Sequence, residues 1–115
     1  MDERLEKALA FGKYRATIEN RRKSLQRRFE SMLTVHYGSG MFFANQETIG
    51  FVAALLNDGM KDAILIDTKK NPVDVEDLAT LYQELTDAYF KATNEFSSEM
   101  KKLAKARDVK KAMDW

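Results

Sequence analysis

A chain of 115 residues with 44% hydrophobic and 32% charged residues, one proline and a formal net charge of +1 has room for one modest core and is neither disordered nor collagen-like. The absence of cysteine excludes a disulfide framework, thiolate catalysis and cysteine-ligated zinc. MDERLEKALAF has no apolar leader core, and the longest apolar runs, FVAALL (51–56) and MFFA (41–44), are too short to span a bilayer, so a soluble, cytoplasmic protein is expected.

From Asp2 to about Leu33 good helix formers dominate and Gly12 is the one breaker, which predicts a long first helix. Within it Phe11, Ile18, Leu25 and Met32 recur every seven residues, as along a coiled-coil seam. Next, MLTVHYGSGMFFAN places β-branched and aromatic residues on both sides of Gly38-Ser39-Gly40, the pattern of a β-hairpin with a short glycine turn. Asn45 is a candidate N-cap for a short helix through Ile49, Val52, Leu55 and Leu56, which Gly59 ends. Being apolar nearly all round, that helix is expected to be buried on more than one side. Ala63–Ile66 reads as a buried strand, followed by a turn at TKKNP and a short extended return. Asp74 and Asp77 resemble a variant capping box, and from Val75 nothing interrupts a third helix, in which Tyr82, Tyr89, Phe96 and Leu103 again recur at sevens.

These elements define an α+β fold of a single domain, 1–115: a long helix (1–33), a head of two β-hairpins and one short helix (34–74), and a second long helix (75–115). The two long helices are expected to pair antiparallel, coiled-coil-like, with Met32 opposite Tyr82, Leu25 opposite Tyr89, Ile18 opposite Phe96 and Phe11 opposite Leu103, along a seam of about 32 Å. Phe11, Ile18, Leu25, Tyr89, Phe96 and Leu103 would then be the most deeply packed side chains.

The segment RRKSLQRR concentrates five positive charges, Arg21, Arg22, Lys23, Arg27 and Arg28. In the register above, residues 15–38, which include that segment, face residues 76–99, where Glu76, Asp77, Glu84, Asp87, Glu95 and Glu99 stand against Lys91, a net of −5. The basic tail, Lys101, Lys102, Lys105, Arg107, Lys110 and Lys111, faces Asp2, Glu3 and Glu6. The basic cluster therefore reads as a solvated, partly compensated helix face. Its alternative is a nucleic-acid contact, which a near-zero net charge and aromatics confined to the seam do not favour.

No catalytic constellation is legible. His36 is the sole histidine and has no partner specified by spacing. Asp58, Asp62, Asp67 and Asp74 lie around turns without the calcium-loop pattern. Gly38-Ser39-Gly40 lacks the lysine and following helix of a phosphate loop, and Ser39 is not in a nucleophile elbow. No cofactor is expected. Apolar MFFA and AILI want more cover than one short helix offers, and exposed strand edges invite another copy, so a homo-oligomer is expected.

The helix, hairpin, hairpin, helix layout is similar in outline to prefoldin-type chaperone subunits, whose helical arms project from an assembled β platform; the helix between the hairpins departs from that pattern. MDERLEKALAFGKYRATIENRR, NPVDVEDLATLYQELTDAYFKATNEF and KKLAKARDVKKAMDW resemble small proteins of T4-like phages, especially those infecting marine cyanobacteria, some of which are prohead core or scaffold components. The resemblance implies a phage protein that acts in head assembly or by binding a phage or host partner, and it supplies no site residues. The expectation is a non-enzymatic scaffold or adaptor, with a small nucleic-acid-binding or transcription-regulating protein as the alternative.

Overall fold

The structure is a computed structural model that describes residues 2–114, with side chains described for 2–106. Its element order is α1 (Glu3–Met32), β1 (Thr34–Tyr37), β2 (Gly40–Phe43), α2 (Gln46–Asn57), β3 (Ala63–Ile66), β4 (Pro72–Val75) and α3 (Leu78–Asp114), the α+β arrangement of two long helices and two antiparallel hairpins that the sequence predicts. The chain divides into two compact units, Met1–Arg28 with Glu95–Trp115, and Phe29–Asn94.

The second unit, the head, is built from local signals that agree with one another. Thr34 pairs with Phe43 and Tyr37 with Gly40, leaving a two-residue loop in which Gly38 has φ +56°, as a tight hairpin turn requires at its first position. The Asn45 side chain accepts the Thr48 amide and starts α2. Gly59, at φ +85°, ends it with paired bonds from its own amide to the Leu56 carbonyl and from the Met60 amide to the Leu55 carbonyl, a Schellman close. Two residues, Glu76 and Asp77, separate β4 from α3, and the cap of α3 is Asp77, which accepts both the amide and the hydroxyl of Thr80. Asp74 takes no part in that cap, because it lies within β4 opposite Ile64.

The head core comprises Val35, Phe42, Ala44, Val52, Leu65, Val73, Val75, Leu78, Leu81 and Leu85. Two expectations for it are corrected. Helix α2 buries one face, through Val52, and leaves Phe51 exposed, because twelve residues present only about three turns to a small core. Strand β3 buries Leu65 alone and turns Ile64 and Ile66 outward, since a two-stranded sheet covered on one side forces alternation.

The hairpins meet at Gly40, where an added Cβ would lie 2.6 Å from the Val73 Cγ2, and along the free edge of β2. There the Thr68 amide donates to the Met41 carbonyl at 2.9 Å and the Met41 amide donates to Asp67 Oδ2 at 3.3 Å. The turn after β3 thus satisfies backbone groups that an open edge would leave unpaired.

In the helix-pair unit, Tyr14, Ile18 and Leu25 of α1 are half-buried, as are Phe96 and Met100 of α3, while Leu103 is buried. The helices run antiparallel, but not in the predicted register. That register sets Tyr14 opposite residue 100 and Arg28 opposite residue 86. Instead the Tyr14 hydroxyl donates to the Ala106 carbonyl and Arg28 pairs with Glu95, partners six and nine residues further along. A slip of one heptad falls within that span and sets Ile18 level with Leu103 and Leu25 level with Phe96.

The cause lies in the head. Leu78, Leu81 and Leu85 belong to its core, with Tyr82, Ala88 and Tyr89 packed against it, so the first turns of α3 are already committed and Tyr82 and Tyr89 are not seam residues. Phe11, predicted to be deeply packed, is 36% exposed and lies beneath the Arg15 guanidinium, and no residue of α1 is fully buried.

Candidate interaction surfaces

Every residue of the basic cluster, Arg21, Arg22, Lys23, Arg27 and Arg28, is exposed on α1. Arg22 pairs with Glu19 within the helix and Arg28 with Glu95 of α3. Arg21, Lys23 and Arg27 form no ion pair among the described residues. The acidic cover expected from residues 76–99 is therefore reduced to one cross-helix pair, Arg28 with Glu95, which the shifted register brings together. At the other end of the seam, Lys101 and Lys105 form no ion pair with Asp2, Glu3 or Glu6 among the described residues; Lys102 pairs with Glu99. The side chains of Arg107, Lys110, Lys111 and Met113 lie outside those described.

Charge follows the structural division. Met1–Arg28 with Glu95–Trp115 holds fifteen basic and eight acidic residues, a formal +7, whereas Phe29–Asn94 holds four basic and ten acidic residues, a formal −6. The chain's +1 is the balance of these two. An isolated excess of this size creates a local field that a whole-chain average conceals.

Apolar surface is also divided between the units. On the head, Ile64 and Ile66 are 69% and 62% exposed, and Phe43, Phe51, Met60 and Phe90 are exposed as well. Ile64 lies opposite Asp74 across the hairpin, so an acidic side chain borders the isoleucines. On the helix pair, Leu5 and Leu9 are each half-exposed. Their spacing continues through Gly12, Ala16, Lys23 and Arg27 at steps of three, four and seven, which puts all six on one face of α1, away from the half-buried residues Tyr14, Ile18 and Leu25.

The single histidine, His36, is exposed on β1 opposite Met41. Neither Asp67 nor Asp74, the acids of the neighbouring hairpin, is hydrogen-bonded to it. Asp67 is buried and fully engaged: its Oδ1 accepts the amides of Lys69 and Asn71, each at 3.0 Å, and its Oδ2 accepts that of Met41. These bonds, that from Asn71 foremost, hold its carboxyl below the ordinary aspartate value against the opposing effect of burial. Asp77 is lowered likewise, chiefly by the Thr80 hydroxyl and then by the Thr80 amide. Both carboxylates are spent on backbone architecture. Among the described residues no group of three histidine, aspartate or glutamate side chains could hold a metal ion, and no helix is long and apolar enough to cross a membrane.

The outward pair Ile64 and Ile66 escapes sequence reasoning because AILI is a continuous apolar run, which a strand buried on both faces would also show. Its strand is short and its hairpin two-stranded, and only the topology reveals that half of the run has no cover. Comparison with models of known protein families finds no match to the chain, and comparisons with curated proteins and with solved structures likewise find none.

Proposed function

We propose that this chain is a non-enzymatic interaction protein, a scaffold or adaptor that self-associates through the outer face of the β3–β4 hairpin. The observation that carries the reading is the exposure of Ile64 and Ile66 side by side on one face of that hairpin. Covering an isoleucine contributes about 1.5–3 kcal/mol, and a second copy is the partner always present at matched concentration. The resemblance to small T4-like phage proteins supplies the setting, in head assembly or in binding a phage or host protein. Light scattering at tens of micromolar tests it: a mass above that of the 13.2 kDa chain is expected, and Ile64→Lys with Ile66→Lys should return it to the monomer. A monomeric wild-type chain would dispose of the reading.

The charge division favours a second reading, in which the +7 helix-pair unit binds nucleic acid through Arg21, Arg22, Lys23, Arg27 and Arg28. Its test is fluorescence anisotropy with a labelled duplex. Each phosphate neutralised should contribute a slope of about −0.9 in log affinity against log salt, and no binding at low salt would remove this reading.

A further inference from the structure

We infer that copies of this chain associate head to tail, the basic outer face of α1 in one copy docking on the acidic, isoleucine-bearing outer face of the β3–β4 hairpin in the next. Such a contact presupposes the self-association proposed above and names the two faces that meet. The faces are complementary in charge. On α1, exposed Lys23 and Arg27 share a face, and neither has an ion-pair partner among the described residues. On the hairpin, exposed Ile64 and Ile66 are bordered by exposed Asp74 and, just beyond β4, exposed Glu76.

A second copy explains more than a nucleic acid does. Polyanion binding would account for the +7 unit and leave a −6 unit in the same chain repelling the same ligand. A head-to-tail contact sets part of each excess against the other. It also opposes the symmetric alternatives, because helix pair against helix pair and head against head each bring like charges together. Repetition of the contact closes a two-fold dimer, closes a ring or extends an open chain, according to the rotation between copies.

Complementary charge reversal in the full chain tests this. One variant carries Lys23→Glu and Arg27→Glu; the other carries Asp74→Lys and Glu76→Lys. All four sites are exposed, and circular dichroism checks that both variants fold. Each variant alone should associate at least about tenfold more weakly than wild type by sedimentation velocity, and mixing the two should restore association, since each then offers the other an opposite charge. Wild-type association should also weaken as salt shortens the screening length from about 10 Å at 0.1 M toward about 3 Å at 1 M.

Reversed variants that associate as wild type, in any salt, overturn the head-to-tail contact while leaving self-association intact. A wild-type chain that stays monomeric at low salt removes self-association and the contact with it. If Lys23→Glu with Arg27→Glu abolishes binding to a DNA duplex and leaves the oligomer unchanged, the basic face belongs to nucleic acid and the inference fails.

Discussion

Asp67 clasps Met41: the carboxylate accepts the Met41 amide from one hairpin while binding the amides of Lys69 and Asn71 in its own turn. The same turn carries Lys70 at φ +68°, a conformation uncommon outside glycine and held here by the bonds on either side. Asp67 thus helps to join the two small sheets, which share no strand, along β2, beside the Thr68 amide that donates to the Met41 carbonyl. Asp67→Ala should lower the melting temperature clearly and expose the head to proteolysis at the 67–71 turn. A melting curve unchanged from wild type would show that the clasp contributes nothing.

The same carboxylate gives the fold an acid limit. Its value is lowered on folding from 3.8, so its stabilisation is fully present above that unfolded value and is lost as pH falls through the lower folded value. Asp77 acts in the same direction. Thermal melts below about pH 4 should therefore show wild-type stability falling with pH, and Asp67→Asn should flatten that fall in part, with the Asp77 contribution remaining.

Packing depth separates positions that look alike in the sequence. Leu85 is fully buried in the head, and Leu85→Ala should cost about 2–5 kcal/mol. Phe11 is the larger residue but keeps 36% of its surface exposed, and Phe11→Ala should cost less than Leu85→Ala, because the site is open to water and leaves no sealed cavity. Urea unfolding of the two variants measures the contrast.

Gly40 is required by closeness rather than by its backbone angle. A methyl group there would meet the stiff Val73 side chain at 2.6 Å, and Gly40→Ala should cost about 1–3 kcal/mol through overpacking. Because Val73→Ala removes the colliding atom, the double variant should be less destabilised than the two single losses combined, which a double-mutant cycle reads directly.

The helix register can be trapped, since the chain has no cysteine of its own. Tyr14→Cys with Ala106→Cys should cross-link efficiently with a short bis-maleimide. Tyr14→Cys with Met100→Cys, which matches the register predicted from sequence, should cross-link poorly.

That register marks where sequence reasoning stops. Helix and hairpin positions are legible because their signals are local: Asn45 caps, Gly59 closes and Gly38 turns, whatever the rest of the chain does. Two heptad repeats, by contrast, can slide past one another by seven residues and still match apolar to apolar, so Ile18 fits Leu103 as well as Phe96. The choice is made elsewhere, by Leu78, Leu81 and Leu85 entering the head core, which no spacing along either helix encodes. The basic cluster is legible as residues, but which acid reaches it, Glu95 beside Arg28, depends on that slip and inherits its invisibility.

The division of charge between the two units also sets how the molecule behaves toward charged matrices. With a sequence pI near 7.9, the chain as a whole is almost neutral at physiological pH, and ion exchange would be expected to retain it poorly. An adsorbent, however, responds to the part that reaches it, and this chain offers either resin a unit of the opposite sign. Retention on both cation and anion exchangers in the same buffer is the expected behaviour.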